Sequence, residues 1–220
     1  MKPIVLFGVG PLASLLRDYL SQQKGARVAG FTADKKYLSS AEYCGLPAVP
    51  FEKVEHRFPP GRFDLLVGVG YSKMNRVRAE KCRQAKAKGY RLASFIHPTT
   101  TRWKGFAPGE NSVILENNVF QPHSEIGNNV CVWSGCLISH HTVLGDNVFL
   151  APGAVLCGQV RVGDNCFIGA NATIRNGVRV APNCVIGAGA VILEDTRENG
   201  VYRAPAARKL GIKSHDLKFS

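Results

Sequence analysis

The residues best suited to proton transfer are two adjacent histidines, His140 and His141, in the stretch LISHHT. A neutral imidazole accepts a proton near pH 7, so either histidine could serve as a general base. His123 lies 18 residues before His141, which also opens the alternative of a zinc site built from three histidines. A histidine alone in a turn is more commonly an exposed residue without a catalytic role, so its position in the fold must decide.

A second set of candidate residues lies near the N-terminus. Gly8, Gly10 and Ala13 follow a short apolar run, and Asp34 follows the next one. This spacing matches the fingerprint of a dinucleotide-binding turn, in which glycines let a pyrophosphate approach the start of a helix. Taken alone it suggests NAD. We reject NAD, because the remaining half of the chain has a pattern unsuited to holding a nicotinamide and its substrate.

The seven cysteines are odd in number, and none lies in a CxxC pair. This argues against a disulfide framework and against a cysteine-rich zinc site, and we expect no metal. Cys136, Cys166 and Cys184 fall on small-residue positions that a six-residue repeat in this half of the chain turns inward. We therefore expect them to pack in a core rather than to do chemistry.

The net charge of +12 is uneven, because residues 1–96 hold 17 of the 28 lysines and arginines. A basic surface attracts polyanions, so a scaffold or nucleic-acid binder is an alternative, although small phosphate-bearing molecules would gain equally. The basic residues are not interleaved with aromatic ones as in a stacking platform, so we expect no nucleic-acid partner. The opening MKPIVLFGVG is too short to span a membrane and predicts a first strand, no membrane insertion and a cytoplasmic protein.

Residues 1–96 alternate short apolar runs with helix-like segments, which predicts a small Rossmann-like domain with a parallel sheet. Ser72 is a candidate cap for the helix after the third strand. The predicted strands cover residues 3–8, 27–31, 64–70 and 91–96.

Residues 126–197 repeat every six residues. Each sixth residue from Ile126 to Ile192 is Ile, Leu or Val, and a mostly small residue follows four positions later. Gly, Asn and Asp fill the turns between, so each hexad predicts one short strand and a turn, with three hexads forming a triangular coil. Upstream, Val113 and Val119 begin a less regular coil, and the seven-residue step from Val119 to Ile126 predicts a bulge. The predicted β-helix domain covers residues 97–220, with the chain entering it near His97.

The FGVG opening, the hexapeptide frame and the ending GVYRAPAARKL together resemble the bacterial nucleotide-sugar N-acyltransferases of the PglD/NeuD-like group. The resemblance covers nearly the whole chain. It implies a left-handed parallel β-helix, a homotrimer, acetyl-CoA as co-substrate in a groove between neighbouring β-helices, and a nucleotide-linked amino sugar on the N-terminal domain. The implied reaction is acetyl transfer to the sugar amino group, in glycan or lipopolysaccharide biosynthesis.

The resemblance also implies roles for individual residues. His140 takes the position of the catalytic base, and His141 stands where an acidic residue is usual. Gly158, one coil further on, takes the position of the backbone amide that holds the oxyanion. The residues implied for acetyl-CoA are Gly158, Ala170, Ala188, Arg208 and Lys209. The residues implied for the nucleotide sugar are Gly8, Gly10, Asp34 and Lys36.

Three matters stay open. A sugar O-acetyltransferase would share the fold, and so would a zinc lyase of the γ-carbonic-anhydrase type. The predicted bulge after Val119 disfavours the lyase, because it would take His123 and His141 out of alignment. Glu116 and Glu125 are alternative acidic partners for His140.

Overall fold

The computed structural model describes residues 2–209, 211, 213 and 215. The N-terminal part contains helices α1 (Pro11–Gln22), α2 (Val54–Arg57) and α3 (Arg76–Ala87), and short 3₁₀ turns at Lys35–Tyr37 and Phe51–Lys53. Its strands are β1 (Ile4–Phe7), β2 (Val28–Ala33), β3 (Glu42–Tyr43), β4 (Leu46–Pro50) and β5 (Asp64–Val67). None of the described helices is both long and apolar enough to cross a membrane.

The five strands form one sheet in the order β3-β4-β2-β1-β5, parallel except for the β3–β4 hairpin. The chain moves outward from β1 to β2 and β4, then returns to place β5 on the other side of β1. The strand order therefore reverses at β1, and ligands of open α/β sheets bind where such a reversal leaves a crevice at the carboxyl ends of the strands.

The rest of the chain winds through two-residue strands that form three faces, all with parallel pairing. The first face holds β6 (Phe95–Ile96), β8 (Val113–Ile114), β11 (Cys131–Val132), β14 (Phe149–Leu150), β17 (Phe167–Ile168), β20 (Val185–Ile186) and β22 (Val201–Tyr202). The second face holds β7 (Thr101–Arg102), β9 (Val119–Phe120), β12 (Leu137–Ile138), β15 (Val155–Leu156), β18 (Thr173–Ile174) and β21 (Val191–Ile192). The third face holds β10 (Glu125–Ile126), β13 (Val143–Leu144), β16 (Arg161–Val162) and β19 (Arg179–Val180).

Strands 18 residues apart are neighbours on each face, as in the pairing of Leu137 with Val155. All twelve predicted inward residues from Ile126 to Ile192 are buried in one apolar core, together with the small residues, among them Cys136, Cys166 and Cys184. The predicted fold class, an α/β domain followed by a parallel β-helix, is confirmed.

The predicted bulge after Val119 is wrong. Phe120 is fully buried and occupies the inward position six residues before Ile126, and Ile114 occupies the one before that. The hexapeptide frame therefore continues upstream without a seven-residue step, because an aromatic side chain can also fill the inward position. The first coil begins at Phe95–Ile96, which pairs with Val113–Ile114, slightly before the predicted entry at His97.

Two details of the predicted N-terminal domain also differ. The predicted strand 91–96 is divided, because Leu92 makes one parallel bridge to Leu65 of the sheet while Phe95 already belongs to the β-helix. Ser72 does not cap α3, because the helix begins at Arg76 and Asn75 occupies the cap position. The Asn75 side chain instead donates a hydrogen bond to the carbonyl of Asn147 on the β-helix, with Nδ2 and O 2.7 Å apart.

The α/β part docks on the first face. Outward residues of that face, such as Val113, Cys131 and Phe149, are buried against Leu12 and Leu16 of α1. The division at residues 96 and 97 stays a prediction, because one apolar cluster spans both parts.

A buried guanidinium fixes the same junction. Arg78 of α3 is 1% exposed and donates hydrogen bonds to the carbonyl oxygens of Val67, Asn129 and Asn111, at 3.3, 3.0 and 2.8 Å. These carbonyls come from the sheet and from two coils of the β-helix, so one side chain connects both parts.

Candidate active site

His140 and Gly158 lie together at the corner between the second and third faces. A side chain on Gly158 would begin 2.5 Å from both Nε2 and Cε1 of the His140 ring and 2.8 Å from Oδ1 of Asn176. The imidazole therefore lies against the glycine backbone, and only a residue without Cβ leaves it that space. Asn176, one coil beyond Gly158, was not predicted, although the 18-residue spacing identifies it once the corner is known.

Gly158 is buried beneath the His140 ring, and its amide N–H makes no hydrogen bond to the coils on either side. Its neighbours in the chain donate to other coils, Cys157 to the carbonyl of Ile174 and Gln159 to that of His140. Among the described residues the Gly158 N–H has no hydrogen-bond partner. A fixed, unpaired backbone N–H is the kind of donor that can hold an oxyanion during acyl transfer.

His141 is the hydrogen-bond partner of His140. The two Nδ1 atoms are 3.2 Å apart, so one ring donates a hydrogen bond to the other, in a direction set by the tautomers. If His140 donates through Nδ1, its Nε2 is left unprotonated beside Gly158. The His140 backbone is also held, because its N–H donates to Oε1 of Gln121 at 3.0 Å.

The two acidic residues considered as alternatives do not contact His140. Glu116 accepts hydrogen bonds from Tyr19 and Ser134 at 2.7 and 2.6 Å, at the corner between the first and second faces. Burial alone would raise the pKa of Glu116, but the hydrogen bonds from Ser134 and Tyr19, together with a backbone hydrogen bond and the nearby His97, leave the pKa below its ordinary value. The same contact raises the pKa of Tyr19 to about 12. Glu125 is exposed on the third face.

His123 and His141 do stack, contrary to the expectation based on the bulge. Their ring centroids are 4.7 Å apart, because the frame between them is a regular 18 residues. Within the described chain, no group of three or more His, Cys, Asp or Glu side chains is arranged to hold a metal ion. The buried thiols also lack reactivity, since burial raises the pKa of Cys136 to about 11 and of Cys166 to about 12.

Ala170 and Ala188 do not extend the column of His140 and Gly158. They lie 12 and 30 residues from Gly158, which is not a multiple of 18, so they occupy the corner between the first and second faces. They do stack on each other, and the N–H of Gly189 donates to the carbonyl of Ala170 at 2.8 Å. The second face therefore separates the two predicted halves of the acetyl-CoA site within one chain.

Arg208 and Lys209 are exposed beyond β22. The chain before them crosses the corner beside Ala188, where the Cα of Arg203 lies 3.4 Å from the position of a Cβ on Gly187. Arg203 therefore brings a cation to this corner, and its place there was not predicted from the sequence.

Gly8 and Gly10 line a cleft of about 1110 Å³ at the carboxyl ends of β1 and β5. Gly8 has φ +126°, and a side chain there would begin 2.8 Å from the carbonyl oxygen of Gly68, so the turn requires glycine. Trp133 of the β-helix closes one side. This cleft lies where the strand order reverses, which is the position expected for a nucleotide.

Asp34 lines this cleft, but Lys36 does not. The Asp34 carboxylate forms an ion pair with Nζ of Lys81 on α3, at 2.6 Å. Lys36 is exposed, with its ammonium over the Tyr37 ring, and lines a second cleft on the other side of Asp34. Lys81 was missed because its place beside Asp34 depends on how α3 packs.

The second face presents a row of apolar side chains outward, with Val119, Leu137 and Val155 in register. Thr173 follows Val155 in register, and Val191 comes next and is 61% exposed. A mostly apolar surface of this kind marks an interaction site.

Comparison with known proteins agrees with the repeat pattern. Residues 141–176 match the family model of the bacterial transferase hexapeptide, described as six repeats, and residues 159–194 match that of the hexapeptide repeat of succinyl-transferase. No curated protein matches the sequence.

Solved structures match nearly the whole chain. The acetyltransferase domain of PglB from Neisseria gonorrhoeae is 27% identical with a TM-score of 0.78, over 90% of this chain and 94% of that one. A second structure of that domain contains acetyl coenzyme A. A histidine-to-asparagine variant of perosamine N-acetyltransferase from Caulobacter crescentus, in complex with CoA and GDP-perosamine, is 25% identical with a TM-score of 0.82, over 91% and 93% of the two chains.

The repeats and the triangular coil define a hexapeptide-repeat β-helix. The match to these two acetyltransferases covers about 90% of the chain, so it includes the N-terminal domain as well as the β-helix. The resemblance predicted from the sequence is confirmed, since the chain is similar over nearly its whole length to a perosamine N-acetyltransferase and to the PglB acetyltransferase domain.

Proposed function

We propose that this protein transfers an acetyl group from acetyl-CoA to the amino group of a nucleotide-linked amino sugar, with His140 as general base. The observation that carries the proposal is that the His140 ring packs against the backbone of Gly158, whose amide is unpaired within the described residues. The relatives support it, since one is named with acetyl coenzyme A and another with CoA and GDP-perosamine.

In the proposed reaction the sugar amine attacks the thioester carbonyl directly. Nε2 of His140 accepts the amine proton as the new C–N bond forms, and the Gly158 N–H stabilises the oxyanion. Collapse of the tetrahedral intermediate breaks the C–S bond, and the CoA thiolate leaves and takes up a proton. Base assistance is typically worth roughly 10²–10⁴ in rate, and one oxyanion donor about 10²–10³.

The cleft of Gly8 and Gly10 is the proposed site of the nucleotide. The glycine turn lets a diphosphate approach the N-terminus of α1, where the helix dipole favours negative charge. Asp34 would accept hydrogen bonds from the nucleoside, and its ion pair with Lys81 fixes its orientation. Lys36 borders the second cleft, so its proposed contact would be with a part of the ligand that extends past Asp34.

The proposal includes a homotrimer in the cytoplasm, where both substrates are made. The column of His140 and Gly158 and the column of Ala170 and Ala188 lie on opposite edges of the apolar second face. Packing a second subunit there would cover the apolar row and bring the His140 corner of one copy to the alanine corner of another. The thin pantetheine arm would lie between them, with the CoA phosphates near Arg208 and Lys209.

The test is a transfer assay with acetyl-CoA and a panel of nucleotide-linked amino sugars, GDP-perosamine among them, beside their hydroxy counterparts. We expect CoA release and an acetylated product from at least one amino sugar. In His140→Ala, we expect at least a tenfold lower turnover with CoA binding near that of the unaltered protein.

Two results would count against the proposal. Acetylation of the hydroxy sugars alone would make the protein an O-acetyltransferase. Unchanged turnover in His140→Ala would remove His140 from the mechanism. His56→Ala, which removes an exposed histidine on α2, is the control for loss of an imidazole elsewhere.

A further inference from the structure

From Asn111 to Gly189, one residue in every corner of the β-helix has a left-handed backbone, with φ between about +50° and +80°. At the corner between the third and first faces this residue is always asparagine: Asn111, Asn129, Asn147, Asn165 and Asn183. At the corner between the first and second faces it is asparagine or glycine: Asn117, Gly135, Gly153, Asn171 and Gly189. Both residue types adopt this conformation more easily than the others do.

The corner that carries His140 is the exception. Its left-handed positions hold His123, His141, Gln159 and Gly177, with φ +63° and +57° at the two histidines. Imidazole side chains therefore stand where asparagine would be less strained, and they do so at one corner only within the described coils. Strain retained at a single corner points to a use for those side chains.

The two histidines form part of a column of neighbouring, tilted rings. The Trp103 ring lies 5.7 Å from that of His123, and the His123 ring lies 4.7 Å from that of His141, inclined by 32°. Trp103 is itself held by the chain, because its ring occupies the space that a side chain on Gly105 would need. The column ends at His141, whose Nδ1 faces Nδ1 of His140 at 3.2 Å.

We propose that His123 is a positioning residue that acts on the base through His141, an inference that rests on the proposed function. A carboxylate beside His140 could accept the hydrogen bond from its ring in many orientations, because it is charged and has two oxygens. A neutral imidazole accepts a proton only along the lone pair in its ring plane, so its plane must be fixed. Stacking on His123 fixes the His141 plane, so His140 keeps its proton on Nδ1 and presents an unprotonated Nε2 to the substrate.

The discriminating variant is His123→Asn. Asparagine relieves the backbone at this position but has no ring to stack, so the thermal midpoint stays the same or rises while kcat falls about three- to tenfold. The KM for acetyl-CoA stays within about twofold, because the change affects proton transfer. His123→Phe restores a ring against His141, and we expect its kcat within about twofold of the unaltered protein.

A readout independent of activity is the tautomer of His140, measured from the ring ¹⁵N shifts. We expect one dominant Nδ1–H tautomer in the unaltered protein and a mixture in His123→Asn. An unchanged kcat and an unchanged tautomer in His123→Asn would overturn the inference while leaving the proposed reaction intact. Absence of transfer in the unaltered protein, with the tautomer pattern as expected, would overturn the proposed function instead.

Discussion

The imidazole of His140 lies against the backbone of Gly158, so closely that no side chain fits between them. The two residues are 18 apart and stack on successive coils, with the N–H of Gln159 donating to the His140 carbonyl at 2.9 Å. The repeat that builds the core therefore also sets the distance between the proposed base and the proposed oxyanion donor.

Gly158→Ala tests this relationship. A methyl group 2.5 Å from Nε2 must displace the His140 ring, so we expect turnover to fall by about 10²-fold. Gly158 does not have a left-handed backbone, so the fold should tolerate alanine with little change in thermal midpoint. Steady-state kinetics and thermal unfolding measure the two effects. Gly61→Ala, where the new Cβ meets open space, is the control, and equal turnover in the two variants would contradict the assignment.

Leu137→Asp tests the second face as the subunit interface. A carboxylate in the middle of the apolar row would be buried without a partner if another subunit packs there. We expect a trimer to dissociate and acetyl transfer to be lost, with the circular dichroism spectrum unchanged. Light scattering after size-exclusion chromatography gives the mass. Glu125→Lys, a charge change on the third face, should leave the trimer intact, and a trimer that persists in Leu137→Asp would place the interface elsewhere.

Arg78→Met tests the junction between the two parts of the chain. Methionine fills a similar volume but leaves the carbonyls of Val67, Asn111 and Asn129 without their donor. We expect the free energy of unfolding to fall by about 3 kcal/mol, since each unsatisfied buried group costs about 1–3 kcal/mol. Urea unfolding measures this. The exposed Arg62 provides the comparison, and a loss in Arg78→Met no larger than in Arg62→Met would show that the carbonyls find other donors.

The sequence predicted the β-helix well because its signal is local and repeated. Every inward residue from Ile126 to Ile192 was assigned correctly, since a two-residue strand leaves only one position to fill the core. The frame was lost upstream because Phe120 is not Ile, Leu or Val, and a pattern defined by three residue types treats it as a gap. Because the frame was misplaced there, the sequence also failed to predict that His123 lies next to His141.

The contacts of the other site residues depend on tertiary packing, which the spacing of residues along the sequence does not reveal. Ala170 and Ala188 were predicted to line the acetyl-CoA groove together with Gly158, but the sequence did not show that they lie on a different edge of the triangle, because residues two hexads apart occupy different corners. The ion pair of Asp34 with Lys81 depends on how α3 packs against the sheet. Glu116 has the right chemistry for a partner of His140, yet it faces α1, where Tyr19 binds it.

Glu116→Gln tests the electrostatics of that contact through its pH dependence. The folded protein holds the pKa of Glu116 below its ordinary value, so the carboxylate stabilises the fold above the ordinary pKa near 4.5. This stabilisation disappears as the pH falls through the lowered folded-state pKa. At pH 7 we expect Glu116→Gln to lose about 1 kcal/mol, because one of its two hydroxyl donors loses a charged acceptor.

The difference between the two proteins should therefore shrink as urea unfolding is repeated in steps from pH 7 to about pH 3. Glu125→Gln gives the baseline, because the Glu125 side chain is exposed and has no hydrogen bond with the described residues. A loss in Glu116→Gln that stays constant over the whole pH range would mean that Tyr19 and Ser134 hold the position by shape alone. In that case the ionised carboxylate would have no part in docking α1 on the β-helix.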